Sequence, residues 1–378
     1  MIKISQNFDA GAITVLQADA FDDIQLDIRK DSHADFAQWF YFRLQGARGQ
    51  ACRIRFMNAA KCAYPDGWKD YRVCASYDRL NWFRVNDTSF DGQVLEVRHT
   101  PEHDSVYYAY FEPYPWERHL NLISHIGHMP GVRVLALGDS VEGREIDALQ
   151  LGNPDARHKI WVIARQHPGE TMAEWFVEGM LQALTDESNP LGRQLLAHAC
   201  WYVVPNMNPD GAVRGNLRTN AAGANLNREW MTPDPLRSPE VLAVKRKIEE
   251  TGVDMFFDIH GDEGLPYNFV AGSEMLEGFS AEQLAQQNKF VADYMQASPD
   301  FQNRYGYAAD KYNQDMLKLA SKYIGHYYKC LSLTLEMPFK DNADLPDAVV
   351  GWDGERSRQL GIAFLQPVWQ ALQGLMAK

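Results

Sequence analysis

KIWVIARQ (159–166), HPGET (167–171) and MAEWFVEGMLQALT (172–185) follow one another in mid-chain, and their reading decides the fold. The first is a short apolar run suited to a buried strand, and the last carries apolar residues at helical spacing. Pro168 and Gly169 interrupt both patterns, so His167 and Glu170 fall on a tight turn at the strand's carboxyl end, with Glu170 entering the helix. Downstream, PEVLAVKRKIEETG (239–252) reads as a helix leading into a second apolar run, VDMFFDIHG (253–261). Strands alternating with helices of this length predict an α/β domain with a mixed, mainly parallel central sheet covered on both faces. In such sheets ligands bind in crevices beyond the carboxyl ends of the strands.

Upstream the character differs. QWFYFRLQ (38–45), ACRIRFMNA (51–59), YRVCASYD (71–78), QVLEVRHT (93–100) and SVYYAYFE (105–112) are short aromatic and β-branched runs separated by turn signals. They predict an antiparallel β-sandwich over 1–114, with the α/β domain over 115–378.

Composition narrows the function classes. The 378 residues are 46% hydrophobic, enough for one large core or two smaller ones. A formal charge of −13 argues against nucleic acid or anionic membrane as the main partner. No run reaches the roughly 18 apolar residues of a membrane span, and the N-terminus lacks a secretory h-region. Cys52, Cys62, Cys74, Cys200 and Cys330 are scattered, with no CxxC pair to suggest a disulfide framework or a thiolate zinc site. A soluble cytoplasmic protein is expected. No propeptide-like segment precedes the sandwich, so the chain is expected to be active as made.

Three strand ends carry metal-capable or acidic residues. His167, Glu170 and the distant His260 supply the two imidazoles and one carboxylate of a catalytic zinc site with its fourth position open to water. Asp258 lies on the same strand face as His260. Taken singly each piece has a plainer reading: Glu170 as an acid complementing a helix dipole, His260 as a hydrogen-bonded strand end. PNMNPDGAVRGNLRTNAAGANLNREW (205–230) has almost no apolar period and cannot be a regular buried element. Its Arg214, Arg218 and Arg228 suit a carboxylate or a polarised carbonyl, or equally a surface loop facing water. In CLSLTLEMPF (330–339) Glu336 ends an apolar run, where an acid is costly to bury without a partner; a general base beside an activated water would have one.

In order, HPGE, NPDG…GNLRTNAAGANLNREW, FFDIHGD and TLEMPF resemble the zinc carboxypeptidases of the M14 family, and more narrowly the cytosolic carboxypeptidase subfamily. The WFYFR and DSVYYAYFEPYPW segments are similar to that subfamily's N-terminal sandwich. The resemblance implies one Zn²⁺ per chain on His167, Glu170 and His260, with Glu336 as general base and then general acid. It implies that Arg218 polarises the scissile carbonyl, and that Asn227 and Arg228 grip the substrate's terminal carboxylate. Peptide or protein C-termini, cut at the C-terminal peptide bond or at a glutamyl side-chain bond, are then the substrates, with an acidic C-terminal residue as one preference and Arg214 or Lys311 as candidates to line its pocket.

Two departures stand out. Asn225 occupies the position of an aspartate that usually orients a zinc-binding histidine. A mobile tyrosine expected some twenty residues before Glu336 has four candidates, Tyr312, Tyr323, Tyr327 and Tyr328. The rival readings are a zinc amidohydrolase of the aspartoacylase type, which lacks reason for a leading sandwich, and a catalytically silent binding protein.

Overall fold

A computed structural model describes residues 2–274, 276–308, 311 and 315–377. Ten strands form the first part: β1 (Lys3–Ser5), β2 (Thr14–Ala20), β3 (Asp23–Asp27), β4 (Tyr41–Gln45), β5 (Cys52–Phe56), β6 (Cys74–Ser76), β7 (Trp82–Arg84), β8 (Thr88–Phe90), β9 (Leu95–His99) and β10 (Ser105–Ala109). They make two five-stranded sheets, in the orders β1-β4-β10-β6-β7 and β2-β3-β5-β9-β8. Alternation places Ile24, Leu26, Ile54, Phe56, Leu95 and Val97 inward, against Phe42 and Leu44 of the other sheet. One pair, β3 with β5, is parallel rather than antiparallel. The chain leaves for the other sheet through β4 between them, and that crossover permits the same direction on return.

The second part is a seven-stranded sheet of β11 (Val132–Asp139), β12 (Glu145–Gly152), β13 (His158–Ala164), β14 (Ala199–Val204), β15 (Met255–Asp262), β16 (Phe269–Ala271) and β17 (Leu331–Pro338), in the order β11-β12-β14-β13-β15-β17-β16. The central four, β14-β13-β15-β17, are parallel, and antiparallel strands flank them. Helices α1 (Trp116–Gly127), α2 (Met172–Thr185), α3 (Pro190–His198), α4 (Pro209–Arg214), α5 (Pro239–Thr251), α6 (Ala281–Ala297), α7 (Ala320–Tyr328) and α8 (Gly354–Met376) complete it. Along β13 the side chains divide by parity. Ile160, Val162 and Ala164 join α2 and α8 in a core that continues into the sandwich, while Trp161 and Ile163 pack under α5 and α7.

Both helices expected from the sequence form, as Met172–Thr185 and Pro239–Thr251. Glu170 lies just ahead of the first rather than inside it. The Asn-rich stretch is largely buried: Asn206, Asn208, Asn216, Asn220 and Asn227 are each at most 4% exposed. Their amides replace a regular ladder, as where Asn208 Oδ1 accepts from Gly211 N at 3.1 Å and Asn220 Oδ1 from Ala224 N at 2.9 Å.

Candidate metal centre and active site

The register brings the site together. His260 on β15 stands directly opposite Glu336 on β17, and the HPGE turn follows β13 on the other side of β15. At Gly169 a Cβ would sit 3.0 Å from the Leu217 carbonyl, so only glycine lets this turn press against the loop that carries Arg218. Arg165 begins the turn in a left-handed conformation (φ 57°) that costs about 1–2 kcal/mol for a residue with a side chain. Its buried guanidinium offsets this by donating to Pro168 O at 2.9 Å, Tyr114 O at 2.9 Å and Glu174 Oε2 at 2.7 Å. Burial opposes a charge on His119 behind it, yet Glu174 and Asp147 raise it to about 9, so Glu174 lies between two cations.

Glu170 lies between the two imidazoles, its Oε1 2.6 Å from His167 Nδ1 and its Oε2 2.7 Å from His260 Nδ1. The outer nitrogens are tied down too. His167 Nε2 lies 3.0 Å from Asn225 Oδ1, and His260 Nε2 lies 2.9 Å from Asp258 Oδ2. Both rings therefore present Nδ1 to one point, with candidate ligand atoms of His167, Glu170 and His260 all within 4.8 Å of one another. Two imidazoles and a carboxylate in a buried cluster fit zinc better than hard cations, which prefer all-oxygen sites. Electrostatics agree. Burial and the charge of Arg218 push His167 down to about 3, leaving a neutral ligand. Burial also acts against charge on His260, but Asp258 and Glu170 outweigh it and draw a cation there.

Glu336 is 6% exposed and its Oε2 has no hydrogen-bond partner among the described residues. Burial pushes its carboxyl up to about 8, with His260 opposing and Glu170 adding to the rise. Arg218, Asn227 and Arg228 line the same pocket as the three candidate ligands and Glu336. Asn227 Oδ1 is committed to Ala320 N at 2.8 Å, which turns the amide nitrogen toward His260. Arg228 Nη1 donates to Asn227 O at 2.7 Å.

Several residues in the pocket or behind it escaped the sequence reading. Asp31, from the sandwich, accepts from the backbone N–H groups of Leu217, Arg218 and Thr219 at 2.6–2.9 Å and so fixes the Arg218 loop. The Arg218 guanidinium stacks near Phe36 and Tyr64, at 5.7 and 5.6 Å from their ring centroids. Lys322 and Glu263 line the pocket as well. All of these come from segments outside the recognised motifs or beside them, and only folding shows their approach. Of the two cations suggested for the pocket, Lys311 lines it and Arg214 does not: Arg214 pairs with Glu142 at the surface, because α4 turns it outward. Among the named tyrosines, Tyr323, Tyr327 and Tyr328 are absent from the described lining, and Tyr312 lies outside the described residues. The described lining tyrosines are Tyr64 and Tyr307.

Comparison with known proteins gives the family. Residues 4–111 match the family model described as the cytosolic carboxypeptidase N-terminal domain, and residues 125–348 match that described as zinc carboxypeptidase. Mouse cytosolic carboxypeptidase 6 is 26% identical over 88% of this chain and 66% of its own length. A crystal structure of a metallo-carboxypeptidase from Burkholderia cenocepacia is 56% identical, with a TM-score of 0.97 over 99% of this chain and 100% of that one. The metallo-carboxypeptidase of Pseudomonas aeruginosa, solved with (2-guanidinoethylmercapto)succinic acid, is 43% identical, with a TM-score of 0.96 over 99% and 100%. The chain belongs to the zinc carboxypeptidases of the M14 family, in their cytosolic carboxypeptidase subfamily, and by that membership is a peptidase.

Proposed function

We propose that the chain removes the C-terminal residue of peptides or proteins, with a preference for an acidic one. The observation that carries the reading is the convergence of His167, Glu170, His260, Glu336, Arg218, Asn227 and Arg228 on one pocket. His167, Glu170 and His260 would hold one zinc ion, which supplies Lewis-acid polarisation and a water of lowered pKa. Glu336 Oε2 then takes the proton of the attacking water and passes it to the departing amine; its raised pKa suits both halves of that exchange. Arg218 donates to the oxygen on which charge grows as the carbonyl is attacked. Arg228, with the Asn227 amide nitrogen, holds the free carboxylate and so selects chain ends.

Lys322 supports the acidic preference. It is 7% exposed, lines the pocket, and is pushed down to about 8 by burial against the pull of Glu274. A buried ammonium there gains most from a side-chain carboxylate.

Residues 1–114 and 115–378 are taken as the two structural units. Cytoplasmic residence is part of the proposal; the relatives' name and five unpaired cysteines, four of them buried, support it. No helix among the described residues is long and apolar enough to cross a membrane. The test is metal content together with amino-acid release from peptides that differ only in the last residue, with C-terminally amidated controls. One zinc per chain and release confined to free carboxyl ends, fastest for Glu or Asp, is expected. Release from amidated peptides, or none at all with zinc bound, would overturn the reading.

A further inference from the structure

The pocket contains a buried carboxylate that the proposed reaction does not use. Glu263 follows β15 directly, is 6% exposed, and lines the pocket; its Oε1 has no hydrogen-bond partner among the described residues. Its neighbour Asp262 is satisfied, accepting from Gly264 N at 2.8 Å and from Tyr307 OH at 2.6 Å. Glu263 differs in that its free oxygen braces nothing. Rotation about the last torsion of a glutamate is soft, so either oxygen can turn to the pocket.

Register places this group relative to the reaction. Thr334 lies two residues before Glu336 on β17 and pairs with Ala271, while Pro338 lies two residues after it and pairs with Asp262. Lys322 and Thr334 line the pocket together, and Ser321, the residue before the lysine, is hydrogen-bonded to Thr334 at 2.7 Å. The lysine and Glu263 thus sit on opposite sides of Glu336 along the strand. A peptide whose last side chain reaches Lys322 runs its amino-terminal portion toward Glu263. That end is walled by the sandwich: Tyr64 lines it, and a Cβ on Gly67 would stand 3.0 Å from Glu263 O and 3.3 Å from its Cβ. Gly67 is therefore what lets the sandwich close over Glu263 without displacing it.

We propose that Glu263 is a subsite for a cation on the amino side of the scissile bond, either the free α-ammonium of a short peptide or a basic side chain on the penultimate residue. This rests on the substrate orientation given under the proposed function. Burial, reinforced by Glu170 and opposed by Arg218, holds the Glu263 carboxyl well above its usual range, so it gains most from a guest that brings a positive charge. Neutral or acidic groups at that position would leave the buried oxygen unpaired.

The test uses the zinc-loaded full chain and peptides sharing the preferred last residue. Alanine dipeptides with free and acetylated amino groups probe the α-ammonium, and acetylated dipeptides with Lys or Gln in the penultimate place probe the side chain. At least one cationic member should exceed its neutral counterpart about tenfold in kcat/KM, and Glu263→Gln should bring that ratio to within about twofold of one without loss of zinc. The pair that shows the effect identifies the source of the cation. Ratios near one in the natural chain, or ratios unchanged in the variant, overturn the proposal; if the variant fails to fold, the natural chain's ratios alone decide. Calorimetric binding of the same peptides gives the ratios even where none is cleaved, so absence of hydrolysis counts against the carboxypeptidase reading and not against this subsite.

Discussion

His167 and His260 both turn Nδ1 toward Glu170, but different acceptors stand behind them, a neutral amide at Asn225 and a carboxylate at Asp258. The amide keeps the His167 ring in the same tautomer without adding charge, so the departure noticed in NLNREW changes basicity rather than geometry. Asn225→Asp is expected to tighten zinc about tenfold, measured by competition with a chelator; unchanged affinity would mean that the ring is already fixed by Glu170. The roles of the other residues separate in the same assay. Glu336→Gln should retain one zinc and lose about 10²–10⁴-fold in kcat, because the carboxyl moves a proton and is not a ligand. His260→Ala should lose the metal first. Zinc loss from the glutamine variant would reverse those assignments.

Helix α5 begins beside the Asn-rich loop, and Glu240 in its first turn is fully buried against that loop. The Asn220 amide donates to its two carboxyl oxygens at 3.2 and 3.1 Å, while Asn220 Oδ1 closes the turn at Ala224. Burial nevertheless pushes Glu240 up to about 7. A carboxyl raised in the folded state holds its proton more tightly there than when unfolded. Its contribution is therefore full below about pH 4.5 and lost as pH rises through 7. Glu240→Gln should remove that loss, so its stability relative to the natural chain should improve by up to about 3 kcal/mol between pH 5 and 8.5, read by denaturant unfolding. Equal pH slopes would show that the helix N-terminus keeps Glu240 ionised. At this level of structure, legibility followed periodicity. Met172–Thr185 and Pro239–Thr251 could be read because each buries one face. Strands β2 and β11 could not: both lie at sheet edges, bury no residue fully and contain register shifts, so no alternation marks them.

The candidate ligands and Glu336 were legible because strand ends advertise themselves in the sequence, as apolar runs that stop at a polar residue. Asp31, Tyr64 and Glu263 were not, since their place in the pocket or behind it depends on how the sandwich meets the sheet, which no local pattern encodes. That meeting is extensive. One apolar core runs from the sandwich through α2 and α8, and Tyr110 stacks on Phe339, 4.5 Å between centroids, just beyond β17. Arg84, only 4% exposed, crosses from β7 to donate to Phe339 O at 2.9 Å and Trp352 O at 2.8 Å, while Nη1 keeps it tied to Arg72 O at 2.8 Å. The two units should consequently unfold together, as a single calorimetric transition, despite a chain length at which separate domains are common. Arg84→Met keeps much of the side chain's length but removes the donors, leaving buried carbonyls unpaired on both sides of the junction. We expect it to lower stability by about 3 kcal/mol or more while preserving one transition. Two resolved transitions in the natural chain would show instead that the sandwich is an independent module, and that Asp31 and Tyr64 reach the active site by docking after folding.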